Sequence, residues 1–362
     1  MATPSYVVTD VDINRVSESF VQSNLDKFAI STLPKALCLD KETGRSNTTS
    51  YDLAALSNAL MEGTNLRDWS PGIDPPSAGT LAESAVEFTV RIRSTLDLPR
   101  PLRRGQTFEH RFADLERNIV PIQLSKVYQA HDADIAAAMV NGSLFEQQDF
   151  TIGTSGDGLN TPSGYSDQNP IKDIEDRLVL LRPYTNFAGL ELRCYMSGKV
   201  ASVLATHPAY TGGGAGSAVA SGMPRAEFIS RFSSLHGCKT YVFDNLINSA
   251  ALGQSATIVE TFNQANASAV LFFGLFDTRA GAFDLRSETT SDAPDGCLVW
   301  ACSQDPNVAE YLDERKMVQS FWGRAGYTIY SPRGTGAGIA SDLGFFMRPV
   351  TDGTNGGIFA SH

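Results

Sequence analysis

The run SAVLFFGLF at 268–276 sets the first constraint on what this chain can become. Its residues are almost all apolar. A strand of that kind has no face to show to water, so it must be covered on both sides. The segments around it alternate in type. LELRCYM, KTYVFD and ATIVETF read as strands. NPIKDIEDRLVLL, SGKVASVLATHP and MPRAEFISRFSSLHG read as helices. In the first helix Pro170 suits the first helical position, Asp173 and Glu175 lie near its positive end, and Ile171, Ile174 and Leu178 form one stripe. Ser197 caps the second and Pro208 stops it. Phe228, Ile229, Phe232 and Leu235 share a face of the third, with Gly237 just after its end. The last third, LVWACS, MVQSFWGRAGYTIYSP and GIASDLGFFMRP, is strand-like and glycine-rich. Helices and strands mix without a regular βαβ period, which makes the fold class α+β.

The first half of the chain reads differently. Residues 1–50 are polar with thinly spread hydrophobes, the pattern of an arm that orders only on a neighbour. YDLAALSNALMEG predicts a helix on Leu53, Leu56 and Leu60. From Val86 the pattern turns to alternation: Val86, Phe88, Val90 and Ile92 on one face, Glu87, Thr89, Arg91 and Arg93 on the other. LPRPLRRG follows as a proline-stiffened basic tip bearing Arg100, Arg103 and Arg104, and the chain returns through QTFEHRFADL and IVPIQLSKV. Residues 84–125 thus predict a long two-stranded excursion. The helix at 132–147 is interrupted by Asn141-Gly142, since glycine inside a helix costs about 1 kcal/mol relative to alanine.

Motifs for catalysis are sparse. The clusters Gly212–Gly214 and RGTGAG lack the lysine and the strand–helix setting of a phosphate cradle, so they read as flexible loops. There is no GxSxG elbow or HExxH. His207 and His236 each end a predicted helix, where an imidazole can bond the last carbonyls. Cys38, Cys194, Cys238, Cys297 and Cys302 are scattered without a CxxC, as expected of buried reduced thiols in a cytosolic product. Scattered carboxylates could still converge, but no spacing marks a catalytic residue, a cofactor or a metal site. The 362 residues carry a net charge of −11, which argues against a surface that coats duplex DNA. No run approaches the roughly 18 apolar residues of a membrane span, and MATPSYVVTDVD lacks the pattern of a signal peptide.

The order of features from Asp132 onward resembles the major capsid proteins of tailed phages. Asn169, Pro170, Ile171, Asp173, Ile174 and Glu175 match that family's first helix motif. Gly198, Val200, Leu204, His207 and Pro208 match the stretch ending in His-Pro. RAEFISRFSSLHGCKTYVFDNLINSAALGQSATIVETF, LFFGLFD, AGYTIYSP and SDLGFFMRP are similar to its later elements. The resemblance implies the Hong Kong ninety-seven fold. It assigns an N-terminal arm to 1–65, an extended loop to 66–125, and a peripheral domain with a spine helix to 126–182. An axial domain falls at 183–325, with C-terminal strands at 326–362 returning to the peripheral domain. The same resemblance implies a structural, non-enzymatic subunit that builds pentamers and hexamers of an icosahedral head around double-stranded DNA, without sequence-specific DNA contact. Its partners would be further copies, with scaffolding, portal and decoration proteins. The head is assembled in the host cytoplasm and the subunit ends in the virion. Arg100, Arg103 and Arg104 are then expected to contact an adjacent subunit. An encapsulin-type nanocompartment shell of the same fold, or an unrelated soluble enzyme, remains as the alternative. The lysine, asparagine and acid of the family's covalent crosslink find no match here.

Overall fold

A computed structural model describes residues 8–39, 47–52, 83–103, 105–150, 159, 168–186, 189–212, 222–248, 255, 258–260, 271–279, 282–286, 296–332 and 343–349. The helices are α1 (Asp10–Asn24), α2 (Phe108–Asp114), α3 (Val120–Met139), α4 (Pro170–Leu181), α5 (Gly198–Thr206), α6 (Pro208–Thr211) and α7 (Arg225–His236). The strands are β1 (Lys35–Leu37), β2 (Asn47–Asp52), β3 (Glu83–Phe88), β4 (Arg91–Ser94), β5 (Leu98–Pro101), β6 (Glu146–Phe150), β7 (Leu190–Ser197) and β8 (Lys239–Phe243). They continue with β9 (Leu246–Asn248), β10 (Ile258–Glu260), β11 (Leu271–Asp277), β12 (Ala282–Asp284), β13 (Val299–Asp313), β14 (Val318–Tyr330) and β15 (Gly344–Pro349).

Two sheets organise these elements. The first runs β12-β1-β13-β14-β4, with β5 also on β14, and the second runs β6-β15-β11-β7-β8. Strand β11 lies at the centre of the second sheet and is buried along its whole length, as its composition requires. Helices α4, α5 and α7 form at the predicted segments. Asn169 Oδ1 accepts from the Lys172 N–H at 3.1 Å, Ser197 Oγ accepts from the Val200 N–H at 3.3 Å, and Gly237 ends α7 at φ 61°.

The long helix differs from expectation. It begins at Phe108 and runs to Met139 through one π-helical turn, Leu115–Ile119. QTFEHRFADL and IVPIQLSKV therefore do not return as a strand. The turn has a local cause. Pro121 has no N–H for the carbonyl four residues back, and its ring needs extra room there, which a π turn supplies. The inserted residue also disguises the stripe, because buried Leu115, Ile119, Leu124, Tyr128, Ile135 and Met139 are not evenly spaced. Asn141-Gly142 falls after the helix, where the Leu144 and Phe145 N–H groups donate to the Asn141 carbonyl at 2.9 and 3.0 Å.

The N-terminal segment is corrected as well. Residues 8–38 are not an arm awaiting a neighbour. Ile13, Val16, Phe28, Ala29, Ile30 and Leu33 join the main core, and β1 inserts between β12 and β13, parallel to both. The buried carboxylate of Asp132 on α3 accepts from the Ala29 N–H and the Asn245 amide, both at 2.8 Å. Strand β3 pairs with β2, upstream of it, and not with a returning limb. Tyr51 and Asp52 sit in β2 rather than opening a helix. The remainder of that predicted helix lies outside the described residues. Strands β13 and β14 pack on α3 in the first sheet. Strand β15, expected to return to the domain of the long helix, pairs with β11 and β6 in the second.

Candidate assembly surface

The predicted basic tip is built as an edge, not a projection. Strands β4 and β5 both pair antiparallel with β14, Arg91–Ser94 against 324–327 and Leu98–Pro101 against 318–321. Pro99 and Pro101 suit an edge because they lack the N–H that another strand would seek. Arg100 faces back toward the chain, its Nε 3.3 Å from Asp114 Oδ2, near enough for ionic attraction but without hydrogen-bond geometry. Arg103 is exposed, in a turn where its N–H donates to Gln106 Oε1 at 3.2 Å. Arg104 lies outside the described residues. The structure thus ties Arg100 within its own chain and leaves Arg103 on the surface.

Between β4 and β5 the edge breaks over α3, and buried polar groups close the gap. Gln123 Nε2 donates to the Leu96 and Phe321 carbonyls at 3.2 and 3.0 Å, and its Oε1 accepts from the Thr95 hydroxyl at 2.7 Å. The Gly323 N–H donates to Thr95 Oγ1 at 2.9 Å. At Gly323 the helix lies directly on the strand: a Cβ there would stand 2.7 Å from Val127 Cγ2 and 2.8 Å from the Gln123 carbonyl oxygen. A second buried glutamine, Gln319, accepts from Arg111 Nη2 at 3.0 Å. It donates to the Val8 carbonyl at 2.9 Å and also to Glu310. Burial raises the Glu310 carboxyl above its usual range, and the Gln319 bond opposes this.

This packing covers one face of the β13–β14 hairpin. Gln319, Phe321, Gly323 and Ala325 face α3, so alternation places Val318, Ser320, Trp322 and Arg324 on the other face. Across from them are Tyr311, opposite Ser320, and Ala309, opposite Trp322. Pro99 and Pro101 extend the patch, and Tyr311 is 62% exposed. Sequence reading missed this patch. The signal was present in Val318, Ser320, Trp322 and Arg324, whose alternation is that of a two-faced strand.

The reactive residue types are mostly withdrawn from solvent. All five cysteines are buried and free. Burial pushes the thiols of Cys194 and Cys297 far up and that of Cys302 to about 12. Cys238 instead shifts down, chiefly through its hydrogen bond with Cys194. The His207 backbone N–H donates to the Leu204 carbonyl of α5 at 3.2 Å, but its ring is turned to the next helix. Its Nδ1 accepts from the Ala209 N–H at 3.2 Å and so caps the next helix, α6. His236 donates from Nδ1 to Glu175 Oε1 at 2.6 Å and accepts at Nε2 from the Tyr210 hydroxyl at 3.1 Å. Among the described residues no group of three or more His, Cys, Asp or Glu side chains is placed to hold a metal ion. Nor is any helix there long and apolar enough to cross a membrane.

No family model and no curated protein matches the sequence. Solved structures do. A phage-related protein from Bordetella bronchiseptica matches over 98% of this chain and 99% of its own, with 13% identity and a TM-score of 0.56. A virus-like particle from Pyrococcus furiosus matches over 94% of this chain and 100% of its own, at 9% identity and a TM-score of 0.45. The capsid of an empty GTA particle matches over 96% and 93%, at 12% identity and a TM-score of 0.44. The long helix under a two-stranded hairpin, the second helix-bearing sheet and the end-to-end match to the phage-related protein agree. The chain has a mixed helix-and-sheet fold of the Hong Kong ninety-seven phage-capsid type.

Proposed function

We propose that this chain is the major capsid subunit of a phage head, closing through pentamers and hexamers into an icosahedral shell around double-stranded DNA. The observation that carries the reading is the uncovered outer face of the β13–β14 hairpin, on a fold shared end to end with a phage-related protein. Trp, Tyr and Pro side chains gathered on a rigid sheet have the composition of an interface centre. Further copies of the chain are its principal partners, and scaffolding, portal and decoration proteins are the partners expected of such a head. The net charge of −11 suits a wall that does not grip packaged DNA, so no sequence-specific contact is assigned. The subunit would assemble in the host cytoplasm and end in the virion. Thiols largely held in their protonated form by burial support a structural rather than an enzymatic role. In this reading the unit around α2–α3 and the first sheet is the peripheral domain, and the unit around the second sheet is the axial domain.

Arg103 and Arg104 remain our candidates for contact with an adjacent subunit, where guanidinium groups can pair with carboxylates. Arg100 serves that contact less directly, because Asp114 already neutralises it. Electron microscopy of purified protein, alone and with a co-expressed scaffolding chain, tests the whole reading. Closed particles or rings of five and six are expected. A monomer of 39.0 kDa that stays monomeric under every condition would refute it.

A further inference from the structure

We propose that α6 is a proton-operated clasp, held shut by the lone pairs of two neutral imidazoles and released when they take up protons. The helix is only the four residues Pro208–Thr211, too short to persist alone. His207 fastens its start: Nδ1 accepts from the Ala209 N–H, which places the ring proton on Nε2, 3.4 Å from Gln168 Oε1. His236 fastens its middle: Nδ1–H donates to Glu175, so Nε2 is the acceptor for the Tyr210 hydroxyl. Both imidazole side chains and Tyr210 are fully buried or nearly so.

Protonation removes both acceptors, since an imidazolium only donates. Ala209 would then lose its cap, and Tyr210 its partner in a dry site. The charged groups facing His236 are Glu175 and, bonded to the same carboxylate, Arg182 of the segment after α4. Phe232 and Phe273 cover the ring, and the Cys194 and Cys238 thiols face Tyr210. Among these, Glu175 favours the imidazolium, so α7 stays tied to α4 as an ion pair while α6 lets go. The release is local for a second reason. The Met223 N–H donates to the Ala205 carbonyl at 3.0 Å, which keeps the start of α7 joined to the end of α5 when α6 opens. His236 borders a groove lined also by Arg182, Ser234 and Leu235.

Burial holds His207 down at about 4, against about 6.5 for an exposed imidazole. Moving from pH 7.5 to 5.0 therefore favours the open clasp about 30-fold through His207 alone. His236, also lowered by burial, adds to this.

Hydrogen exchange on the full chain, corrected for the intrinsic pH dependence, reads the opening at the Tyr210, Thr211 and Gly212 amides. Their protection should fall at least about 30-fold between pH 7.5 and 5.0, and at both pH values it should stay below that of the α3 and α4 amides, which exchange only through larger openings. In the double variant His207→Asn, His236→Gln, both acceptors no longer titrate, and the pH dependence at α6 should vanish. Tyr210→Phe deletes only a hydroxyl, so it should lower α6 protection at pH 7.5 and flatten the pH dependence. The clasp is overturned if the α6 amides are as protected as those of α3 and α4 at both pH values, if the double variant keeps the wild-type slope at α6, or if Tyr210→Phe changes neither protection nor slope there.

Discussion

His131 offers a quantitative test of how the long helix meets the first sheet. It sits on α3 with no exposed surface, its ring 3.6 Å from that of Tyr327 and edge-on to Trp300 at 6.0 Å. Nδ1–H donates to the Val127 carbonyl at 2.8 Å, while buried Nε2 has no hydrogen-bond partner. Burial first, and Arg93 to a lesser degree, pull its pKa down to about 4, against the pull of the Val127 bond. The folded protein therefore holds this ring neutral, while the unfolded chain protonates near pH 6.5. Its contribution to stability is complete above that value and is lost as pH falls from about 6.5 toward 4. At pH 5.0 the loss is about RT ln 30, or roughly 2 kcal/mol, a large part of a typical 5–15 kcal/mol. His131→Phe keeps an aromatic ring against Tyr327 and removes the titration. Urea unfolding at steps from pH 7.5 to 5.0 should show the variant losing about 2 kcal/mol less than wild type over that interval. The other buried histidines contribute equally to both proteins and cancel. Parallel stability curves would refute the claim that a buried neutral imidazole is what the long helix protects.

Four further outcomes follow from the same geometry. Gly323→Ala drives a methyl group into Val127 and the Gln123 carbonyl, and thermal unfolding should show a loss of about 1–3 kcal/mol. Gln123→Ala strips partners from Thr95 and from the Leu96 and Phe321 carbonyls, and should cost about 1–3 kcal/mol in chemical unfolding. Tyr311→Ser with Trp322→Ser should abolish particles in electron micrographs while moving subunit stability by no more than about 1 kcal/mol; normal particle yield would remove the hairpin face from the assembly. Reversing Arg103 and Arg104 to Glu should lower particle yield, with high salt partly mimicking the defect, whereas Arg100→Glu should also loosen the subunit by repelling Asp114.

Local chemistry determined the elements whose signals are complete within a dozen residues. Pro170 at the start of α4, Ser197 before α5, Gly237 after α7 and the all-apolar β11 needed no distant partner to be recognised, and their order carried the resemblance that named the fold. Tertiary structure decided everything that depended on a partner far away in sequence. Ile13, Val16 and Phe28 looked too sparse to form a core because the surfaces that bury them, α3 and β13, lie a hundred or more residues onward. The limb from Phe108 to Leu124 looked extended because one π turn, Leu115–Ile119, displaces the helical stripe by a residue. Arg100 looked available to a neighbour because Asp114 meets it only once β5 is laid along β14. His207 and His236 looked like caps for their own helices, and only the docking of α6 turned their lone pairs toward Ala209 and Tyr210. Periodicity and caps are local properties of the backbone, and a sequence displays them. Burial, charge pairing and protonation belong to the neighbours a side chain acquires, and those exist only after the chain has closed on itself.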